Sequence, residues 1–447
     1  MIALLGDEYA EFSAALEENS IRAFRVNSLK YKSPSEEFIP SGGKIPYTDM
    51  GYYLADGYEG IGNTPLHHSG AIYMQDPGAM ASLAALPDTR AMAGAKVCDL
   101  CAAPGGKSGQ AAALIGDGGF IFSNEFVPKR AKILVGNLER LGARRAIVSS
   151  LDTADIRKLY DAYFDLVIAD APCSGEGMFR KTEAALTEWS EENIALCADR
   201  QKYILDNAAY LVKDGGYLLY STCTYAIEEN EMQVDSFLSR HSDFELCPVN
   251  EALIPYTNDG IQFEGAICKK LSLTRRFYPH KAKGEGQFVA LLKRKTDDRP
   301  RIMFKDAATR LKGDEKQTVE EFLKENICGE LSKYAVKYGN NIVLALHGEP
   351  IPKGGIFSSG VLLGEIRGRL LFPSHQLFSA LGESFIRKIN ITDDKTAMRY
   401  LRGEEIPSQD CKNGYAAVLY RGIPMGGGKV SSGVLKNHYP KGLRLKG

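Results

Sequence analysis

KVCDLCAAPGGKSGQAAALIG, residues 96–116, decides the fold class. KVCDLCAA (96–103) is an apolar, strand-like run that ends in PGGKS, and SGQAAALIG is an Ala-rich helix closed by glycine. The same alternation continues downstream. FIFSNE (120–125) reads as a second strand, and Pro128 sits near the first turn of a helix that stops at Leu141-Gly142. AIVSS (146–150) is a third strand. FDLVIADAP (164–172) is a fourth, and its nearly continuous apolar run suits a strand buried on both faces. Residues 192–212 have helical periodicity, GGYLLYSTC (215–223) is a fifth strand, and a Glu-rich helix follows from about Ile227. QFVALLKR (287–294) is a late strand. This alternation predicts an α/β fold with a parallel sheet covered on both faces.

In such sheets ligands bind beyond the carboxyl ends of the strands. Every unusual residue falls there: PGGK after the first strand, Glu125 after the second, Asp152 after the third, DAPCS after the fourth and STCT after the fifth. The turn Cys101, Ala102, Ala103, Pro104, Gly105, Gly106, Lys107 fits neither the P-loop nor the dinucleotide fingerprint. Its glycines allow close backbone approach, and the helix start offers unsatisfied N–H groups. A nucleoside with a carboxylate tail, such as S-adenosylmethionine, suits that turn. Glu125 stands where an acid accepts ribose hydroxyls, and Asp152 is placed for an adenine amino group. The alternative for both acids is a plain helix cap.

DAPCSG (170–175) and STCT (221–224) put Cys173 and Cys223 at the ends of neighbouring strands. A thiolate that adds to carbon-6 of cytosine makes carbon-5 enamine-like and nucleophilic toward a methyl donor. Cysteine suits this step because it both attacks and leaves. Asp170 is a candidate to hold a proton at ring nitrogen-3, with Lys107 holding charge beside it. The second thiol is a candidate for removing the carbon-5 proton. Spacing alone leaves the two cysteines interchangeable. The other candidates, Cys197, Cys247, Cys268, Cys328 and Cys411, read as small buried apolar side chains.

The bulk numbers bound the rest. A chain of 447 residues suggests about three domains. Nine scattered cysteines are too few for a disulfide scaffold and predict a reducing, cytoplasmic compartment. Cys98 and Cys101 lack the second pair that a zinc site needs, so no metal is expected. Apolar runs are too short for a bilayer, and MIALLGDEYAEF lacks a basic leader, so no membrane partner and no signal peptide are expected. The net charge is −1, but it is unevenly spread. Acids fill residues 1–20, whereas 269–283 (Lys269, Lys270, Arg275, Arg276, Lys281, Lys283) and 421–447 are basic. Each basic stretch reads either as a phosphate-contacting patch or as a solvated face.

CAAPGGK, DAPCSGEGMFRK and YSTCTYAIEENE, in this order, resemble the Sun-type RNA cytosine-carbon-5 methyltransferases. RVNSLK (25–30), MQDPGAMASL (74–83) and RRFYPHKAKGEGQF (275–288) are similar to further motifs of that family. LFPSHQLF (371–378) and LKNHYPKGLR (435–444) resemble the C-terminal region of its RsmF-like branch, which acts on small-subunit ribosomal RNA. The resemblance implies a Rossmann-like class I methyltransferase core with a mostly parallel seven-stranded sheet. It also implies a small N-terminal α/β domain and a C-terminal extension ending in a PUA-like domain. The corresponding divisions are 1–90, 91–296, 297–375 and 376–447. Residues 101–107, Glu125, Asp152 and Asp170 would contact S-adenosylmethionine; Cys223 would be the nucleophile and Cys173 would aid release. The expected partner is 16S ribosomal RNA or the small ribosomal subunit, met by a monomer. Competing readings are a transfer-RNA methyltransferase, a DNA cytosine methyltransferase using Cys173, and a non-catalytic ribosome assembly factor.

Overall fold

Five consecutive strand–helix steps build the centre of the main sheet. In the computed structural model, which describes residues 1–32, 39–58, 60–181, 183–295 and 304–446, they are β1 (Lys96–Asp99), β2 (Phe120–Asn124), β3 (Ala146–Ser149), β4 (Phe164–Asp170) and β5 (Val212–Thr222). Their parallel order is β5-β4-β1-β2-β3. The chain runs outward from β1 through β2 to β3, then returns to the other side of β1 with β4. The crevice between β1 and β4 is therefore the topological switch point, where open α/β sheets bind ligands. Apolar side chains explain the depth of this core: Val97, Phe122, Ile147, Val167, Ile168 and Leu218 are all inaccessible to solvent.

The helices start and stop where local chemistry dictates. Pro128 opens Pro128–Leu141, and Gly142 ends it at φ 73° in the left-handed region. Ser190 caps Glu191–Leu211 by accepting from the Asn193 N–H.

The sheet departs from the expected seven, mostly parallel strands. Among the described residues it has ten, and five of its nine pairings are antiparallel against four parallel. Beyond β5 the chain adds β6 (Phe244–Cys247), β7 (Asn258–Asp259), β8 (Arg275–Phe277) and β9 (Gln287–Arg294), all in antiparallel pairs. The tenth strand, β10 (Ile356–Ser359), comes from the downstream part of the chain and closes the free side of β3. Helix–strand alternation signals parallel neighbours only, and most of these added strands are too short to carry an apolar period of their own.

Before the core lies a four-stranded antiparallel sheet of Ser41–Lys44, Gly51–Leu54, Ala23–Val26 and Ile72–Met74. RVNSLK is its joint to the rest. Asn27 Nδ2 donates to Gly70 O and Leu141 O, both at 2.8 Å. Lys30 Nζ reaches Arg140 O at 3.1 Å and Ser379 Oγ at 3.0 Å, and burial pulls its ammonium down to about 7. After the core come two five-stranded sheets, within 309–373 and 388–437. The helix His375–Leu381 packs Leu377 and Phe378 among residues of both. The Gly-rich MGGGK lies in the strand Ile423–Ser431. A Cβ on Gly427 would sit 2.2 Å from the Phe378 ring, so this glycine serves close packing. Most of the expected linker KTDDRPR (295–301) lies outside the described residues. Among the described residues no helix is long and apolar enough to cross a membrane.

Candidate active site

The turn after β1 is held mainly by its backbone. Gly105 adopts φ 115°, which a side chain rarely tolerates, and leads into the helix Gly106–Ile115. The carbonyls ahead of it are pinned from outside: Arg130 donates to Ala103 O at 3.0 Å, and Asn137 donates to Pro104 O at 2.8 Å. The Ala102 N–H donates to Asn124 O at 2.8 Å. Cys101 is half-buried in this turn, and burial pushes its thiol up.

Glu125 follows β2 and is 4% exposed. Its Oε1 accepts from the Val127 N–H at 3.0 Å, and Arg130 lies 3.4 Å from Oε2. Asp152 caps the helix Thr153–Leu159 through Oδ1, which also accepts from Tyr203 OH at 2.6 Å. The cap expected as an alternative is therefore present at Asp152, with Oδ1 as its acceptor. Both acids stand beyond the carboxyl ends of their strands, on the side of the 101–107 turn.

Asp170 ends β4 opposite Ser221 of β5. Its Oδ1 accepts from Ser221 Oγ at 2.7 Å, and its Oδ2 lies 2.9 Å from Lys107 Nζ. Lys107 is itself buried, so this pair is only partly screened by water. One loop further, Cys173 and Cys223 meet with their sulfurs 3.2 Å apart. Both are free thiols, and the Cys223 N–H donates to Cys173 Sγ at 3.3 Å. The adjoining Cys223 thiol, and then burial, push Cys173 well above the usual thiol range. The structure thus gathers the residues that sequence spacing singled out along one edge of the sheet.

Known proteins resemble this chain along most of its length. A family model described as 16S rRNA methyltransferase RsmB/F matches residues 90–293. Two others, the N-terminal domain of 16S rRNA methyltransferase RsmF and the methyltransferase RsmF PUA domain, match 1–77 and 388–445. A ribosomal RNA small subunit methyltransferase F from Klebsiella pneumoniae is 30% identical over 97% of this chain and 92% of its own. The chain belongs to the RsmB/F family of 16S rRNA methyltransferases. A second relative of the same name, from Aeromonas salmonicida, is 29% identical over 97% of this chain and 93% of its own. Among solved structures, a methyltransferase homologue from Pyrococcus horikoshii is 28% identical, with a TM-score of 0.55 over 65% of this chain and 91% of that one.

Several residues around this RsmB/F site escaped the sequence reading. Asp99, inside β1, accepts from Ser108 Oγ at 2.6 Å, and burial pushes its carboxyl up to about 7. Glu229 is fully buried against the Cys173 loop, and Gln201 is buried beside it. The signal for Glu229 is a run of acids shortly after STCT, which in isolation looks like a solvated helix start. Two residues of the basic stretch 269–283 also need correcting, while Lys269, Lys270, Lys281 and Lys283 are exposed. Arg275 and Arg276 are neither phosphate contacts nor a solvated face. They are buried, paired with Asp259 and Glu231. Lys281 pairs with Glu8 of the acidic N-terminal segment at 2.9 Å. Of the five cysteines expected to be small buried groups, Cys197 is buried and Cys328 is exposed. Among the described residues no cluster of three or more His, Cys, Asp or Glu side chains could hold a metal ion.

Proposed function

We propose that this RsmB/F-family chain methylates carbon-5 of a cytosine in 16S ribosomal RNA through a covalent cysteine adduct. The observation that carries the reading is the pair of free thiols 3.2 Å apart, next to the Lys107–Asp170 pair. A single buried cysteine would serve as packing; two in contact, at the ends of neighbouring strands beside a nucleoside-sized turn, suit attack and release on one ring.

The residues fit S-adenosylmethionine. Gly105 supplies the left-handed backbone that shapes the turn, the following helix start presents N–H groups to a carboxylate, and Glu125 is a buried acceptor for ribose hydroxyls. Residues 101–107, Glu125, Asp152 and Asp170 would hold it. When bound, it supplies an electrophilic methyl group.

Cys223 acts as the nucleophile: its thiolate forms a bond to carbon-6, and the ring's electron pair moves toward carbon-5. As carbon-6 is attacked, nitrogen-3 takes a proton from solvent, and Asp170, steadied by Lys107 and Ser221, accepts a hydrogen bond from it and so relieves the charge until elimination releases that proton again. Cys173 takes the carbon-5 proton after methylation. The sulfur–carbon-6 bond then breaks and Cys223 leaves as thiolate. The high-lying Cys173 thiol is a poor first attacker; it acts as the base only as a thiolate, once its own proton has passed to solvent, and the high proton affinity of that thiolate then suits removal of the carbon-5 proton. The target base must leave any helix to reach the two sulfurs.

Under the same reading the protein works in the cytoplasm as a monomer. The unit from 376 is PUA-like and presents ribosomal RNA to the core at 91–296, with 1–90 and 297–375 as separate domains. Bisulfite sequencing of 16S RNA from cells with and without the protein tests this directly. A single protected cytidine that disappears with the gene supports it. An unchanged 16S pattern with labelled methyl appearing in transfer RNA or DNA instead would overturn the substrate.

A further inference from the structure

We propose that Glu176 and Glu229 are positioning residues in a crossed clamp: each sits on the loop of one cysteine and fixes the backbone of the other. The proposal rests on the roles given above to Cys223 and Cys173.

Glu229 lies in the segment after Cys223, yet its carboxylate accepts from the Ser174 N–H, at 3.3 Å to Oε1 and 3.1 Å to Oε2. Gln201 Nε2 bridges the same carboxylate at 2.7 Å and Pro172 O at 2.9 Å. The peptides on both sides of Cys173 are thus held from one buried centre. Glu176 lies in the loop after Cys173 and does the converse. Its Oε2 accepts from the Tyr225 N–H at 2.8 Å and from Thr224 Oγ1 at 3.0 Å, while Trp189 Nε1 secures Oε1 at 3.0 Å. The neighbouring Gly177 N–H donates to Cys223 O at 2.8 Å. A Cβ on Gly177 would lie 2.8 Å from that same oxygen, so the two loops touch backbone to backbone. Between the arms Ser174 Oγ and Thr224 Oγ1 meet at 2.8 Å.

The chemistry explains why carboxylates are used. A carboxylate is acceptor-only and can take two N–H or O–H donors per oxygen, so one side chain immobilises a loop without adding a competing donor beside the thiols. A sulfur displaced by about 1 Å from its attacking line loses roughly a hundredfold in rate. Two loops that are each anchored by the other cannot drift independently, and the separation of the sulfurs is preserved while a base enters.

The crossing gives a test that a merely structural role would fail. In the full chain, Glu176→Gln is expected to slow adduct formation about tenfold, measured as RNA cross-linked in denaturing gels in the Cys173→Ala background. Glu229→Gln is expected to leave the first methyl transfer within twofold, lower steady-state turnover about tenfold, and let adduct accumulate with Cys173 in place. Alkylation of the RNA-free protein by iodoacetamide, followed by peptide mass spectrometry, reads each thiol separately. It should change at Cys173 in Glu229→Gln and at Cys223 in Glu176→Gln. Should Glu229→Gln not fold, Gln201→Leu, which frees Pro172 O and loosens Glu229, replaces it. Uncrossed effects, equal effects on both thiols, or none overturn the clamp. Absence of any adduct in Cys173→Ala alone overturns the catalytic reading instead, and the alkylation arm still decides the clamp.

Discussion

The turn at 101–107 and the two cysteine loops occupy the same edge of the same sheet but are held by opposite means. In the turn, main-chain geometry sets the shape, with Gly105 at φ 115° and an open helix start, and two side chains, Arg130 and Asn137, hold its carbonyls from outside. In the cysteine loops, side-chain charge carries it: the buried Glu229 and the half-buried Glu176 across the loops, and the buried Glu231 on Arg276, whose Nη1 donates to Tyr225 O at 2.8 Å. A backbone-built site gives way gradually, whereas a charge-built site fails when one partner is lost. The comparison also separates binding from chemistry, because a cofactor has to be admitted and released while two sulfurs must keep a fixed separation.

Substitutions break or sharpen this contrast. The largest effect is expected at Cys223→Ala, with methyl transfer to RNA reduced roughly 10⁴-fold or more, measured with labelled methyl donor. Cys173→Ala should instead leave a protein–RNA band on denaturing gels. Next is Arg276→Met, which strands the buried Glu231 carboxylate. Chemical denaturation should show a loss of about 3–5 kcal/mol, and equal stability would mean that the charge-built half is not brittle. Gly105→Ala is expected to weaken S-adenosylmethionine binding about tenfold, through roughly 1–3 kcal/mol of backbone strain. Calorimetry would check it, with RNA affinity as the control that stays put.

A separate effect concerns pH. Burial raises Asp99 from 3.8 to about 7, so between these values the folded chain binds more protons than the unfolded one. This group therefore makes stability fall as pH rises through that window and level off above about 7. Asp99→Asn should flatten that segment of a stability–pH curve. An unchanged slope would remove Asp99 as its source.

Legibility in the sequence follows the same division. CAAPGGK is a contiguous string because a backbone turn has to be spelled by neighbours, and the five parallel strands announce themselves by alternation. Cys173 and Cys223 were legible as a pair because both end such strands. Glu229, Gln201 and Arg276 were not, since a buried ion or amide is recognised by its partner, and the partners sit on other segments. Arg275 and Arg276 looked like surface charge for that reason. Of the antiparallel flank, β9 is legible as QFVALLKR, whereas strands of two or three residues, such as β7 and β8, carry no period. β10 was missed because IFSS has no apolar alternation and pairs with a strand far earlier in the chain.

That last strand bears on how the protein is made. β1 to β5 have all left the ribosome long before Ile356 is added, and during that interval β3 displays an open row of donors and acceptors to other nascent chains. The sheet becomes safe from edge-to-edge recruitment only when Ile356–Ser359 arrives. Translation that stalls short of Ser359 leaves that edge uncovered, and such truncated products are expected to burden chaperones more than longer ones.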